Sequence, residues 1–295
     1  MKSKLAAAVM GCMMILSVWN VSAEEAEQVT MRQIVEANEG ANFLKEGISY
    51  QVEIHSGDYT ERDYADSELK SITFINGEEE YTEVYAGNVI MWKEDGEYQV
   101  YLCMDENWYH ENQRVFENTL DMESSERETI EECVKDGDVL RIRTRGAEED
   151  TRANLESTGM EYEEGSYMEL TYTVDAQTWA LQEVNEVFVK ADGTEVDFGN
   201  VKVTYNPERP EVAEQMYQDV MKSPKTKTIT FVLDPDTETE KTYTATISED
   251  CSLYPAFPEG YEDFYYDREC TEKVEDDVKV DPEKENIFYS IPSQK

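Results

Sequence analysis

"YMELTYTVDAQTWALQEVNEVFVKADGTEVDFGNVKVTYN", residues 167–206, holds three runs in which apolar side chains recur at every second position. That is the period of a strand with one buried face. Asp175 to Thr178 and Asp192-Gly193 interrupt the runs with residues that hydrogen-bond their own backbone or accept left-handed dihedrals. Three strands joined by such short turns run up and down, so this stretch predicts an antiparallel meander.

The same period extends upstream. "ISYQVEIH" (48–55) reads as a strand, followed by a polar loop and "SITFI" (71–75) with Asn76-Gly77 as its turn. "NVIMWK" and "EYQVYL" form a hairpin that reverses at Asp95-Gly96, and "NWYHEN" (107–112) continues the meander. A helix is expected from about Ser124 to Lys135, then the strand "VLRIRTR" and a short helix over 148–158. At the front, Thr30 and Gln33 have the spacing of a capping box. Ile34, Ala37, Ala41 and Leu44 share one side of that helix, and Gly47 ends it. The expected class is therefore mainly β with a few helices (α+β). One curved antiparallel sheet carries the N-terminal helix over a concave face lined by Tyr50, Val52, Ile72, Phe74, Ile90 and Trp92. Periodicity does not decide between a solid core and a ligand cavity there.

A capped helix leading into long strands, with Tyr172, Asp175 and Thr178 at a strand end and a last strand closing on "YN", resembles the LolA/LppX type of cell-envelope protein over about residues 28–206. The resemblance implies a half-barrel that holds an acyl chain or an envelope partner. This chain is far more acidic, and no ligand residues carry over.

Downstream, "NPERPEVAEQMYQDVMK" gives a helix with Pro210 in its first turn and Val212, Met216, Tyr217 and Val220 on one side. Ser223-Pro224 breaks it. The domain organisation expected is a 24–222 half-barrel domain and a small β module at 225–295. In that module "TKTITFVL" and "TYTATISED" pair across the turn "DPDTETEK", and "NIFYSIP" closes it. Gly260-Tyr261, Tyr265-Tyr266, Asp267 and Phe288-Tyr289 resemble the internalin B-repeat (the Listeria–Bacteroides repeat), although its usual tryptophan is absent. That resemblance implies a β-grasp-like surface module, a spacer or adhesive unit. Few residues bury little core, so the rings of Tyr254–Cys270 are expected to be scaffold.

Composition bounds the setting. Lys2 and Lys4, the apolar run Leu5–Val18 and "VSA" at 21–23 form a secretory signal peptide, 1–23, whose core is too short to span a bilayer. "VMGC", ending at Cys12, is the rival lipobox reading. Removing the leader deletes two lysines and moves the formal charge from −41 to −43, which disfavours nucleic acid and anionic headgroups. With 19 tyrosines and nine phenylalanines, the chain is not read as disordered. No mature segment is apolar enough for a transmembrane helix. Cys103, Cys133, Cys251 and Cys270 allow three pairings. A Cys251–Cys270 bond would stabilise the fold by about 3 kcal/mol; the other reading is four reduced core thiols.

Signals for catalysis are thin. His55 and His110 are the only histidines, which excludes a three-histidine zinc site, and no GxSxG, HExxH, P-loop or GxGxxG occurs. His110 lies near Trp108 and Asp105, and "DPDTETE" (Asp234–Glu240) spaces acids as a calcium loop could, without the EF-hand glycine. No cofactor is expected. The expectation is a non-catalytic binding protein, secreted or in the cell envelope, that holds an apolar or peptidic ligand such as a lipid or an envelope protein. The alternative is a surface adhesion protein with a solid sheet platform. A hydrolase would need two converging, pKa-shifted carboxylates in a cleft.

Overall fold

The structure, a computed structural model, describes residues 29–38, 40–104, 122–157, 159–275 and 278–293. The leader, "NWYHEN" and His110 lie outside them. The chain is mainly β with a few short helices, as the alternation implies. It divides into two compact units: Met1–Asn42, Ile54–Gly57 and Asn118–Thr204 form one, and Phe43–Glu53, Asp58–Glu117 and Tyr205–Lys295 the other.

In the first unit, α1 (Met31–Ala37) starts on the expected capping box, with Thr30 Oγ1 accepting from Gln33 N and the Gln33 side chain accepting from Thr30 N. It stops at Asn38, whose buried side chain donates to Ile34 O at 2.7 Å and Trp179 O at 2.9 Å and accepts from Leu181 N at 2.7 Å. One amide thus satisfies a helix-end carbonyl and ties the helix to the start of a strand. A short second helix, α2 (Gly40–Lys45), follows. The strand order is β11 (Glu195–Tyr205), β10 (Leu181–Val189), β9 (Tyr167–Asp175), β8 (Val139–Arg145) and β7 (Thr129–Asp136), each antiparallel to the next. The quoted stretch therefore forms its expected meander. α4 (Glu148–Ser157) buries Leu155 against Met168 and Phe188.

The helix expected over Ser124–Lys135 is corrected. α3 (Met122–Arg127) ends early, and 129–136 is strand β7. Ile130, Cys133 and Val134 have helical spacing, which misleads. Pairing with β8 decides, and Arg143 of β8 bridges Glu132 at 3.3 Å and Glu131 at 3.8 Å.

In the second unit, β2 (Tyr59–Ala65), β3 (Lys70–Asn76), β4 (Glu79–Ala86), β5 (Val89–Glu94) and β6 (Glu97–Cys103) form an antiparallel meander. Asp95 (φ 50°) and Gly96 (φ 86°) are both left-handed, as the tight hairpin between β5 and β6 requires. β2 replaces the expected polar loop. "YTERDYA" shows no apolar alternation, yet Asp63, Tyr64 and Ala65 are all buried. β14 (Ser252–Ala256) joins β6 in parallel, and β15 (Val278–Lys279) joins β14. β12 (Thr226–Leu233) pairs antiparallel with β13 (Lys241–Ser248) and parallel with β16 (Asn286–Ser290).

α5 (Glu211–Met221) has Pro210 at its N-cap and buries Ala213, Met216, Tyr217 and Val220. Val212, expected on that stripe, is 49% exposed; Ala213 holds its place. These residues share one hydrophobic cluster with Val84, Met91, Val100 and Leu102 of the meander and with Ile229, Phe231, Leu253, Phe264 and Phe288. Residues on both sides of the boundary expected at 222–225 thus share one hydrophobic cluster. The physical reason is size, since a segment as short as 225–295 buries too little apolar surface alone. Phe288 packs 5.4 Å from Phe231 and 5.6 Å from Phe264 between ring centroids. Among the described residues no helix is long and apolar enough to cross a membrane.

Candidate ligand-binding face

Strand alternation gives the β2–β6 sheet two unlike faces. Val84, Met91, Val100 and Leu102 point into the core with α5. The other face is organised in rows of Cα partners. Asp63, Ile72, Glu83, Trp92 and Gln99 form the middle row. Glu61, Phe74 and Tyr81 flank it on one side, and Tyr85, Ile90, Tyr101 and Tyr254 on the other. Ile72, Phe74, Ile90 and Trp92, expected to line a single face, do so.

The floor of this face is apolar and closed, with Ile72, Tyr85, Ile90 and Cys103 packed together and Phe74 against them. Burial pushes the Cys103 thiol up to about 12, so it is an inert floor residue. Above the floor, rings remain open to solvent: Tyr81 is 39% and Tyr101 38% exposed. Trp92, Tyr101 and Tyr254 form a triad with centroids 5.0, 5.4 and 6.1 Å apart. Phe74 lies 6.3 Å from Tyr81 and 6.5 Å from Tyr59.

Carboxylates are set among these rings. Glu83 accepts the Tyr81 hydroxyl at 3.0 Å and the Tyr85 hydroxyl at 2.7 Å, one on each oxygen. Glu61 accepts the Tyr59 hydroxyl at 2.6 Å. Burial and these acids raise the pKa of all three phenols, Tyr59 to about 12, so the hydroxyls stay protonated donors. Asp63 is 5% exposed. Burial first, then the charge and hydrogen bond of Glu61, push its carboxyl up to about 8. At pH 7 it is mostly neutral, and its protonated form hydrogen-bonds to Glu61. Its Oδ1 has no hydrogen-bond partner, and neither does the buried Gln99 Oε1 at the far end of the same row. The face therefore combines exposed rings with buried acceptors lacking donors.

Other residues singled out by the sequence do not join this face, apart from Tyr254. Cys251 and Cys270 are free thiols in the structure, as the reading of reduced thiols has them. Cys251 is buried in the core, where desolvation raises its thiol to about 12, while Cys270 sits at a left-handed turn position, φ 54°, beside Arg268 O. Asp234, Asp236 and Glu240 of the 234–240 loop are engaged by neighbouring side chains. Arg268 contacts Asp236 at 2.8 Å and Glu240 at 2.5 Å, and Asp234 accepts the Thr239 hydroxyl at 2.8 Å. His55 lies half-buried on β1 (Tyr50–Ser56). Of the Tyr254–Cys270 rings, Phe257 and Phe264 pack as scaffold, whereas Tyr254 belongs to the open triad.

The first unit holds a separate polar knot. Glu128 accepts the Tyr172 hydroxyl at 2.7 Å and the Thr144 hydroxyl at 2.5 Å. Burial raises its pKa against those two bonds, and the charge of Glu186, itself raised by burial, adds to the shift. Both donors are spent on one carboxylate, so this arrangement works as an internal tie between β8, β9 and the residue that follows α3.

No protein-family model matches the chain, and no curated protein matches it. Solved structures match at low likeness. The Mycobacterium tuberculosis lipoprotein LppX is 8% identical over 61% of this chain and 97% of its own, with a TM-score of 0.34. MucB, solved in complex with MucA(peri), is 8% identical over 70% of this chain and 74% of its own, at 0.27. LprF from Mycobacterium bovis is 11% identical over 60% of this chain and 91% of its own, at 0.26.

Proposed function

We propose that this chain is an exported, non-catalytic binding protein, secreted or in the cell envelope, which takes an apolar or peptidic ligand on the ring-lined face of β2–β6 and β14. The observation that carries this reading is the half-open aromatic surface around Trp92, Tyr101 and Tyr254 on a sheet whose other face is already filled. Exposed rings above a packed floor offer a ligand apolar area without any rearrangement of the core. The shifted carboxyl groups support binding over hydrolysis. Asp63 is tied to Glu61, and Glu128 is held by Thr144 and Tyr172, so each answers to an internal partner.

The test uses Nile red as a neutral apolar probe on the purified chain. Tyr101→Ser and Tyr81→Ser, both at surface positions, are expected to weaken binding by about tenfold together, in line with the loss of two ring contacts. Equal binding by wild type and the double variant would overturn the assignment of this face.

A further inference from the structure

Acidic groups outnumber basic ones on the ring-lined face, beside its apolar area. Glu61, Asp63 and Glu83 stand on it, with Glu94 close enough to Tyr81 to raise its hydroxyl further; Lys70 is a cation on the same face. Asp63 and Glu83 are separated by one strand, about 10 Å at the usual strand spacing. Ile72 lies between them, flanked by Phe74. Two buried acceptors on the middle row, Asp63 Oδ1 and Gln99 Oε1, lack donors, and each belongs to a residue less than a tenth exposed. Buried acceptors are almost always paired, so two orphans on one row mark a place where donors arrive from outside.

Rings, carboxylates and orphan acceptors together describe one ligand chemistry. A guanidinium or ammonium group brings several N–H donors and a positive charge, and its alkyl stem packs on aromatic faces while the head sits near a ring or a carboxylate. A neutral lipid would satisfy the rings and leave the acceptors unpaired, and a fatty acid would meet like charge at Glu61 and Glu83. The formal charge of −41 on the whole chain steers basic partners inward. Resting on the binding reading above, we infer that the ligand is a basic peptide. Its arginine or lysine heads meet Glu61, Asp63, Glu83 and Gln99, and its apolar side chains lie on Phe74, Trp92, Tyr101 and Tyr254.

Isothermal titration of the full chain with three synthetic decapeptides, alternating Arg-Phe, Ser-Phe and Glu-Phe, tests this. The Arg-Phe peptide is expected to bind at least tenfold tighter than Ser-Phe, with Glu-Phe weakest. Glu61→Gln and Glu83→Gln should each remove most of that preference, while the exposed pair Glu161→Gln/Glu164→Gln in the first unit should not. Thermal melts of each variant confirm that it is folded, and Glu83→Asp is the second variant should Glu83→Gln melt early. Equal binding of Arg-Phe and Ser-Phe, both lost in Tyr101→Ser, would overturn the cationic preference and leave the apolar face standing. Preference for Arg-Phe that survives both glutamine variants but falls with Glu161→Gln/Glu164→Gln would also overturn it, as general attraction to an acidic surface. Binding indifferent to Tyr101→Ser would remove the face and the inference together.

Discussion

Asp63→Asn should stabilise this protein at neutral pH, against the usual direction for a buried polar substitution. An aspartate titrates near 3.9 in an unfolded chain, and burial beside Glu61 lifts Asp63 to about 8. At about 1.36 kcal/mol per pKa unit, ionisation at pH 7 favours the unfolded chain by about 4 kcal/mol. Because the folded pKa is raised, this stability is fully present below pH 3.9 and is lost steadily as pH rises to about 8. Above that the loss levels off. The asparagine amide would keep an N–H donor for Glu61 and drop the titration. Urea denaturation followed by circular dichroism at several pH values should show the two proteins level near pH 4 and the variant ahead by about 4 kcal/mol at pH 7. A difference that does not change between pH 4 and 8.5, or a variant weaker than wild type at pH 7, would refute the reasoning.

Asn38→Ala removes three hydrogen bonds between α1, Trp179 and Leu181. The expected loss is about 2–4 kcal/mol in urea midpoint measurements. Arg209, 20% exposed in its side chain, meets Asp66 at 2.6 Å, Glu214 at 2.6 Å and Glu68 at 2.8 Å. Arg209→Met should destabilise by about 2 kcal/mol at pH 7, a value discounted for partial exposure. The backbone amides of Leu69 and Glu68, the Tyr64 hydroxyl and Arg209 outweigh burial and lower the Asp66 pKa. The contribution of that carboxylate is therefore present above its unfolded pKa and lost as pH falls, so the Arg209→Met deficit should shrink toward pH 3. Phe231→Ala opens the ring cluster and should weaken the protein by about 3–5 kcal/mol. Hydrogen exchange should then rise together in 226–233 and 84–102; a rise confined to residues after Ser223 would show a separate module instead.

The legible parts were those where local chemistry and tertiary packing agree. Asp95-Gly96, the Thr30/Gln33 box and the three runs of 167–206 each specify a conformation by themselves, and the structure adopts it. Two kinds of segment were not legible. In 129–136 the apolar residues happen to fall at helical spacing, and only the ladder to Val139–Arg145 overrules them. In 59–65 there is no apolar period, because the residues turned toward the ring-lined face are Tyr59, Glu61 and Asp63. The boundary expected at Ser223 is a different case. A proline after a helix is a local stop signal, whereas core membership is a long-range property carried by Leu253, Phe264 and Phe288. Of the binding face, Ile72, Phe74, Ile90 and Trp92 could be placed from alternation, but Tyr254 arrives through a parallel pairing that no short-range pattern encodes.

The strand without an apolar period, β2, also carries a costly buried residue, Asp63. Scaffold positions in a sheet of this kind take Val, Ile or Thr, and a buried aspartate without a partner for one oxygen works against stability at every pH above 4. Sequences depart from local consistency mostly where function asks for it. Asp63 does so in the same row as Glu83 and the unpartnered Gln99, and beside the rings that remain half-open. A cation that ionises Asp63 on binding would convert its burden in the free protein into affinity in the complex. Asp63→Asn should therefore separate the two quantities, raising the urea midpoint at pH 7 while weakening the Arg-Phe peptide severalfold more than the Ser-Phe peptide. If the variant gained stability and lost no affinity, Asp63 would be a defect of the scaffold, and the acceptor role in binding would pass to Glu61 and Glu83 alone.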